Sequence, residues 1–239
     1  MMAAIETLLF DFGGTLDADG VAWKERFHAL YRAEGLAMTA EAFAPAFFAA
    51  DDALVGALPA TAGLTETVNA LAANLEAELG RRAGTVKERS GGDRGRRVGS
   101  RFLTNMSAIF VRNRPVLEAL GERYRLGIVS NFYGNLEGVC RSSGLAPLFA
   151  VMTDSCRVGA EKPDPAIFRA ALDALHAAPE TTLFIGDSLR RDCEGARRAG
   201  MSFIWIAPED VQADAAQTTA PRSVLATVTG LPDLLNVLK

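Results

Sequence analysis

Cysteine and histidine are scarce in this chain: its 239 residues hold three cysteines and two histidines. Cys140, Cys156 and Cys193 are odd in number and lack metal-type spacing, so the expectation is inert thiols in a reducing compartment rather than a disulfide framework. His28 and His176 fall in helical patterns away from every motif, which suits packing or surface roles rather than catalysis. Long apolar runs are missing too. None reaches the roughly 18 to 20 residues that span a bilayer, and the N-terminus enters a strand without a charged leader and cleavage site. A cytoplasmic protein with no membrane partner is expected. Disorder is excluded by a hydrophobic content of 49% at a net charge of −4, enough for a full core, as one domain with a large insertion or two small ones.

Short, almost continuously apolar runs occur at Thr7 to Phe12, Leu126 to Ser130, Ala150 to Asp154, Leu183 to Asp187 and Phe203 to Ala207. Strands buried on both faces read this way. Helical patterns at Pro115 to Tyr124, Leu136 to Ser143, Pro165 to Ala177 and Asp192 to Ala199 alternate with them, and Ser223 to Leu238 adds a last strand and helix. The alternation predicts a parallel sheet with right-handed crossovers. Between about Asp19 and Asn113 the rhythm breaks. Helical periodicity there covers Trp23 to Glu34, Ala40 to Leu54 and Leu64 to Leu79, a helical insertion.

Four segments carry chemistry. In Leu8 to Asp17 an apolar strand delivers Asp11 into a turn containing Gly13 and Gly14, whose backbone N–H groups can approach an anion closely. In Gly127 to Asn131 a strand ends in Ser130 and Asn131, which either form a turn or hold an anionic oxygen without adding charge. Lys162 precedes Pro163, Asp164 and Pro165, where Asp164 reads as an N-cap and Pro165 as the first helical residue. A lysine so placed is either solvated or offsets carboxylate repulsion. In Leu183 to Asp192 a strand ends in Gly186 and Asp187, and Asp192 opens the next helix, either as a residue favoured by the dipole or as part of an acidic site. Arg190 and Arg191 read as exposed.

In this order the four segments resemble the motifs of the haloacid dehalogenase-like superfamily, over Glu6 to Thr15 and about Pro115 to Lys239. The resemblance implies an α/β fold: a doubly wound, Rossmann-like parallel sheet formed by residues 1–18 and 114–239, with residues 19–113 as an inserted helical cap. It also implies an Asp11 nucleophile supported by Lys162, and substrate contacts from Gly14, Thr15, Ser130 and Asn131. Mg²⁺ would be bound by Asp11, Asp187 and the Gly13 carbonyl, with Asp192 behind them or bound through water. The implied activity is hydrolysis of a small phosphorylated metabolite through an aspartyl-phosphate. Alternatives are phosphonate or haloacid hydrolysis on the same fold, or a non-catalytic descendant that binds a phosphometabolite or a protein.

The chain departs from the superfamily at one position. Most of its phosphatases carry a second aspartate, acting as general acid and base, where Gly13 stands here. Asp17 could substitute, or serve as a turn or capping residue. A second unusual feature is Gly80 to Arg101, with eight basic residues against Glu88 and Asp93, a local charge of +6. It reads as a solvated loop or as a lip that steers anions. Nucleic acid is not expected as a partner, because no aromatic residue interleaves the arginines.

Overall fold

The computed structural model describes residues 4–83, 91–216 and 224–238. Six parallel strands form one sheet: β1 (Thr7–Phe10), β2 (Arg125–Ser130), β3 (Val151–Asp154), β4 (Thr182–Gly186), β5 (Ser202–Ile206) and β6 (Val224–Val228), in the order β3-β2-β1-β4-β5-β6. Chain order reverses direction at β1, which opens a crevice at the carboxyl ends of β1, β2 and β4. Alternate residues serve opposite faces. Leu8, Phe10, Ile128 and Ile185 join a core that runs on into the insertion, while Leu9, Val129, Phe184 and Phe203 join a second core under Phe168, Leu172 and Ala196. Both faces are covered, which is why the strands read as unbroken apolar runs.

The insertion is helical: α1 (Trp23–Ala33), α2 (Ala40–Asp52), α3 (Leu64–Arg82) and α4 (Gly91–Gly121). Among the described residues, six further α-helices follow: α5 (Leu136–Ser142), α6 (Ser155–Val158), α7 (Pro165–Leu175), α8 (Glu194–Arg198), α9 (Glu209–Ala216) and α10 (Leu234–Val237). The start of α7 follows the sequence reading, with the Asp164 side chain accepting from the Ala166 N–H and Pro165 at the first turn. The helix expected to begin at Pro115 does not begin there. Pro115 lies inside α4, whose buried stripe Val98, Phe102, Met106, Phe110, Leu117 and Leu120 serves the insertion first and the sheet afterwards.

The basic segment also differs from expectation. Its described residues are largely helical, in α3 and α4, while Lys87 and Arg89 lie outside the described residues. Gly95 is a packing device. A β-carbon on Gly95 would stand 2.7 Å from Glu76 Cγ and 3.3 Å from the Ala72 carbonyl oxygen, so α4 lies against α3 more closely than a larger residue permits. Arg94 makes a two-pronged ion pair with Glu76 at 2.9 and 3.0 Å. Arg97 and Arg101 both pair with Glu34 at the end of α1, at 2.7 and 3.2 Å.

All three cysteines are free, with Cys140 and Cys193 buried and Cys156 exposed. Burial pushes the Cys140 thiol up to about 12, consistent with an inert role. His28 Nε2 lies 2.8 Å from the Met38 carbonyl oxygen, and His176 ends α7 in a left-handed conformation. Among the described residues no helix is long and apolar enough to cross a membrane.

Candidate active site

Asp11 follows β1, its N–H still donated to the Ile185 carbonyl at 2.9 Å, and its side chain meets two groups from neighbouring segments. Ser130, the last residue of β2, donates its hydroxyl to Asp11 Oδ1 at 2.9 Å. Lys162 brings Nζ to the same oxygen at 2.6 Å and to Asp192 Oδ1 at 2.8 Å. Burial opposes the lysine's charge, but Asp11 and Asp192 outweigh it and raise its pKa. Both contacts of Asp11 fall on Oδ1. Oδ2 is therefore the oxygen left for attack or for a cation.

Lys162 is held by its own backbone. The Asn131 side chain accepts from the Lys162 N–H at 2.7 Å and donates to the Lys162 carbonyl at 3.2 Å, so Asn131 positions the lysine. Two glycines make room for the acidic side chains. Gly14 has φ of +94°, and a β-carbon there would lie 2.6 Å from Asp187 Oδ2; one on Gly186 would lie 2.4 Å from Asp192 Oδ2. Asp192 accepts from the Ser188 N–H at 2.9 Å, and Asp187 accepts from the Thr15 hydroxyl at 3.2 Å.

Asp11, Asp187 and Asp192 each offer a carboxylate oxygen within 4.8 Å of the others. Three carboxylates around one lysine leave negative charge uncompensated. Burial, with the charges of Asp192 and Asp11, holds the Asp187 carboxyl well above the usual range; burial also raises Asp192, against the pull of Lys162. A hard divalent cation with oxygen ligands suits this donor set.

Of the four residues expected to hold substrate, Ser130 alone brings its side chain onto Asp11. The Gly14 N–H is donated to Asp17 at 2.7 Å, Thr15 is fully buried against Asp187, and Asn131 serves Lys162. Asp17 serves the turn, as one of its two sequence readings has it, and is not in the lining of the cleft. It is fully buried, and besides Gly14 it accepts from Trp23 Nε1 at 2.7 Å and Arg26 Nη1 at 2.6 Å. Trp23 is the residue that sequence reasoning missed. A β-carbon on Gly13 would stand 3.3 Å from Trp23 Nε1, so a side chain there would press on the indole. Nothing in the spacing of Trp23 signals this, because it comes from the first turn of α1.

Above the cluster opens a cleft of about 530 Å³ between sheet and insertion, lined by Asp11, Ser130 and Lys162 below and by Trp23, Phe48 and Asp51 above, with Arg191 at one side. The described basic residues of Gly80 to Arg101 are not in its lining. Arg94, Arg97 and Arg101 pair between the insertion's helices instead.

A strand-end aspartate, a buried lysine and two further carboxylates at the switch point of a parallel sheet define a hydrolase-type α/β site in which a carboxylate is the candidate nucleophile. A model of the haloacid dehalogenase-like hydrolase family matches residues 5–200, and the chain belongs to that family. The phosphoserine phosphatase of Thermus thermophilus is 43% identical over 75 residues, 30% of either chain. The chain spans less than half the length of the curated relatives it matches. Two solved structures are similar in fold. The HAD-hydrolase YfnB from Bacillus subtilis, bound to magnesium, has a TM-score of 0.60 at 20% identity over 99% of this chain and all of the other. The L-2-haloacid dehalogenase from Xanthobacter autotrophicus has a TM-score of 0.60 at 17% identity, covering 98% of each chain.

Proposed function

We propose that this protein is a Mg²⁺-dependent phosphatase-type hydrolase of a small phosphorylated metabolite, working through a phosphoryl group carried on Asp11. One observation carries the reading: a buried strand-end carboxylate with Lys162 and Ser130 on one oxygen, beside two more carboxylates, at the floor of a cleft. Phosphatase-named relatives support the substrate class.

Asp11 Oδ2 attacks phosphorus, an Oδ2–P bond forms, and the ester P–O bond breaks toward the leaving group. Lys162 and Ser130 fix the carboxylate's other oxygen, so the nucleophile is oriented before substrate arrives. Water then attacks phosphorus, the Asp11–phosphoryl bond breaks, and inorganic phosphate leaves. Mg²⁺, held by Asp11 and Asp187 with the Gly13 carbonyl and with Asp192 behind them, would supply positive charge against the phosphoryl oxygens. Asn131, Thr15 and Gly14 act by holding Lys162, Asp187 and the nucleophile loop.

Lys24 reaches the cleft from the insertion, where a phosphonate hydrolase would need an amine for a Schiff base. Its ammonium is paired with Glu25 at 3.0 Å and lies over the Phe48 ring. Both contacts engage the amine that a Schiff base would require.

The test is a panel of p-nitrophenyl phosphate, acetyl phosphate, sugar phosphates, a phosphonate and a 2-haloacid, each with and without Mg²⁺. Turnover of phosphates that needs Mg²⁺ and is abolished in Asp11→Asn is expected. Turnover of the haloacid or phosphonate in preference would overturn the reading, and no turnover at all would favour a binding descendant.

A further inference from the structure

With Trp23 beside Gly13, the nucleophile loop offers no proton to a departing oxygen. Beyond the Asp11 cluster, the acidic side chains lining the cleft are Glu25, Asp51 and Glu161. Glu25 is exposed and paired with Lys24, and Glu161 is exposed at the rim.

Asp51 is placed differently. It lies in the last turn of α2, where the helix's unpaired carbonyls disfavour negative charge. It is half-buried between insertion and core, and it accepts the hydroxyl of Tyr133, from the loop after β2. Four groups on four segments act on its carboxyl. Tyr133 and Arg191 favour the ionised form; Asp52 on its own helix and Glu161 before α7 oppose it. Burial is the largest influence, and the carboxyl is pushed up to about 6. Arg191, on the turn after β4, lines the same cleft as Asp11 and Asp51 and acts electrostatically on both.

We propose that Asp51 donates the proton to the leaving-group oxygen, replacing from the cap the acid that the nucleophile loop lacks. This rests on the phosphatase reading above. As the Asp11–phosphorus bond forms and the ester P–O bond breaks, the Asp51 proton passes to the departing oxygen and a neutral alcohol leaves. The Asp51 carboxylate then takes a proton from the water that attacks the phosphoryl group on Asp11. Phosphate is released and Asp51 is protonated again.

The test compares the native protein with Asp51→Asn on p-nitrophenyl phosphate, whose leaving group departs unprotonated, and on the best alkyl ester of a panel of sugar and polyol phosphates. General acid catalysis contributes roughly 10² to 10⁴-fold, so a loss in that range is expected on the alkyl ester and a loss at least about tenfold smaller on the aryl ester. For the alkyl ester, kcat/KM should fall as pH rises through about 6. That limb should vanish in Asp51→Asn. It should move to higher pH in Tyr133→Phe, because the lost hydroxyl stabilised the ionised carboxylate.

A thermal melt separates folding from chemistry. Since burial penalises the charged form, the native fold loses stability as pH rises from the ordinary carboxylate range to about 6, and Asp51→Asn should lose that dependence. Equal losses on both esters, a pH limb that Asp51→Asn retains, or a native protein that hydrolyses aryl but no alkyl esters would each overturn the proposal and leave the phosphatase reading standing. No turnover of any phosphate overturns both.

Discussion

The indole nitrogen of Trp23 donates to Asp17 Oδ2 at 2.7 Å and stands 3.3 Å from the point a β-carbon on Gly13 would occupy. The ring beside Gly13 is thus locked by a buried carboxylate that also holds the Gly14 N–H and Arg26.

Gly13→Asp therefore presses on a held ring: Trp23 is 8% exposed. Thermal melts should show a loss of about 1 to 3 kcal/mol, and alkyl ester rates should not rise. A faster, equally stable variant would mean that the indole yields.

Gly14 is constrained twice, by φ of +94° and by Asp187 Oδ2, which stands 2.6 Å from where a β-carbon would fall. Gly14→Ala should lose about 1 to 3 kcal/mol through backbone strain. It should also weaken Mg²⁺ binding, measured by calorimetry, at least about tenfold, because Asp187 must shift. Unchanged affinity would remove Asp187 from the metal site.

Lys162 is 4% exposed and serves Asp11 and Asp192 together. Breaking a buried pair by removing one partner is destabilising by about 3 to 5 kcal/mol, since a charge is left uncompensated. Denaturant unfolding of Lys162→Met should show a loss of that order, together with loss of turnover. A loss under about 1 kcal/mol would indicate that solvent reaches the lysine.

Arg97 and Arg101 read from the sequence as a possible anion-steering lip, but they pair with Glu34 away from the cleft lining. Replacing both with Gln should leave KM for an anionic substrate unchanged at low and high salt. Stability should change little, as for exposed pairs. A salt-dependent rise in KM would restore the steering role.

The sheet was legible because strands buried on both faces leave apolar runs such as Leu183 to Ile185 with few other readings. Asp11, Lys162, Asp187 and Asp192 were legible because each sits at a strand end or before a capped helix. Helix α4 was misjudged because Pro115 reads as a start and clustered glycines read as a loop; Gly95 is instead where two helices touch. Trp23 and Asp51 left no local signal, and Asp17 read as a turn residue without its partners Trp23 and Arg26. Their roles come from α1 and α2 folding back over the cleft, a tertiary fact that spacing along the chain does not encode.

The most direct test of the central claim is acid-quenched single turnover of p-nitrophenyl phosphate with Mg²⁺, followed by peptide mass mapping. A phosphoryl group on the peptide bearing Asp11, absent in Asp11→Asn, is the expected result. Turnover with no phosphoryl-protein at any quench time, or with the group on another residue, would contradict it.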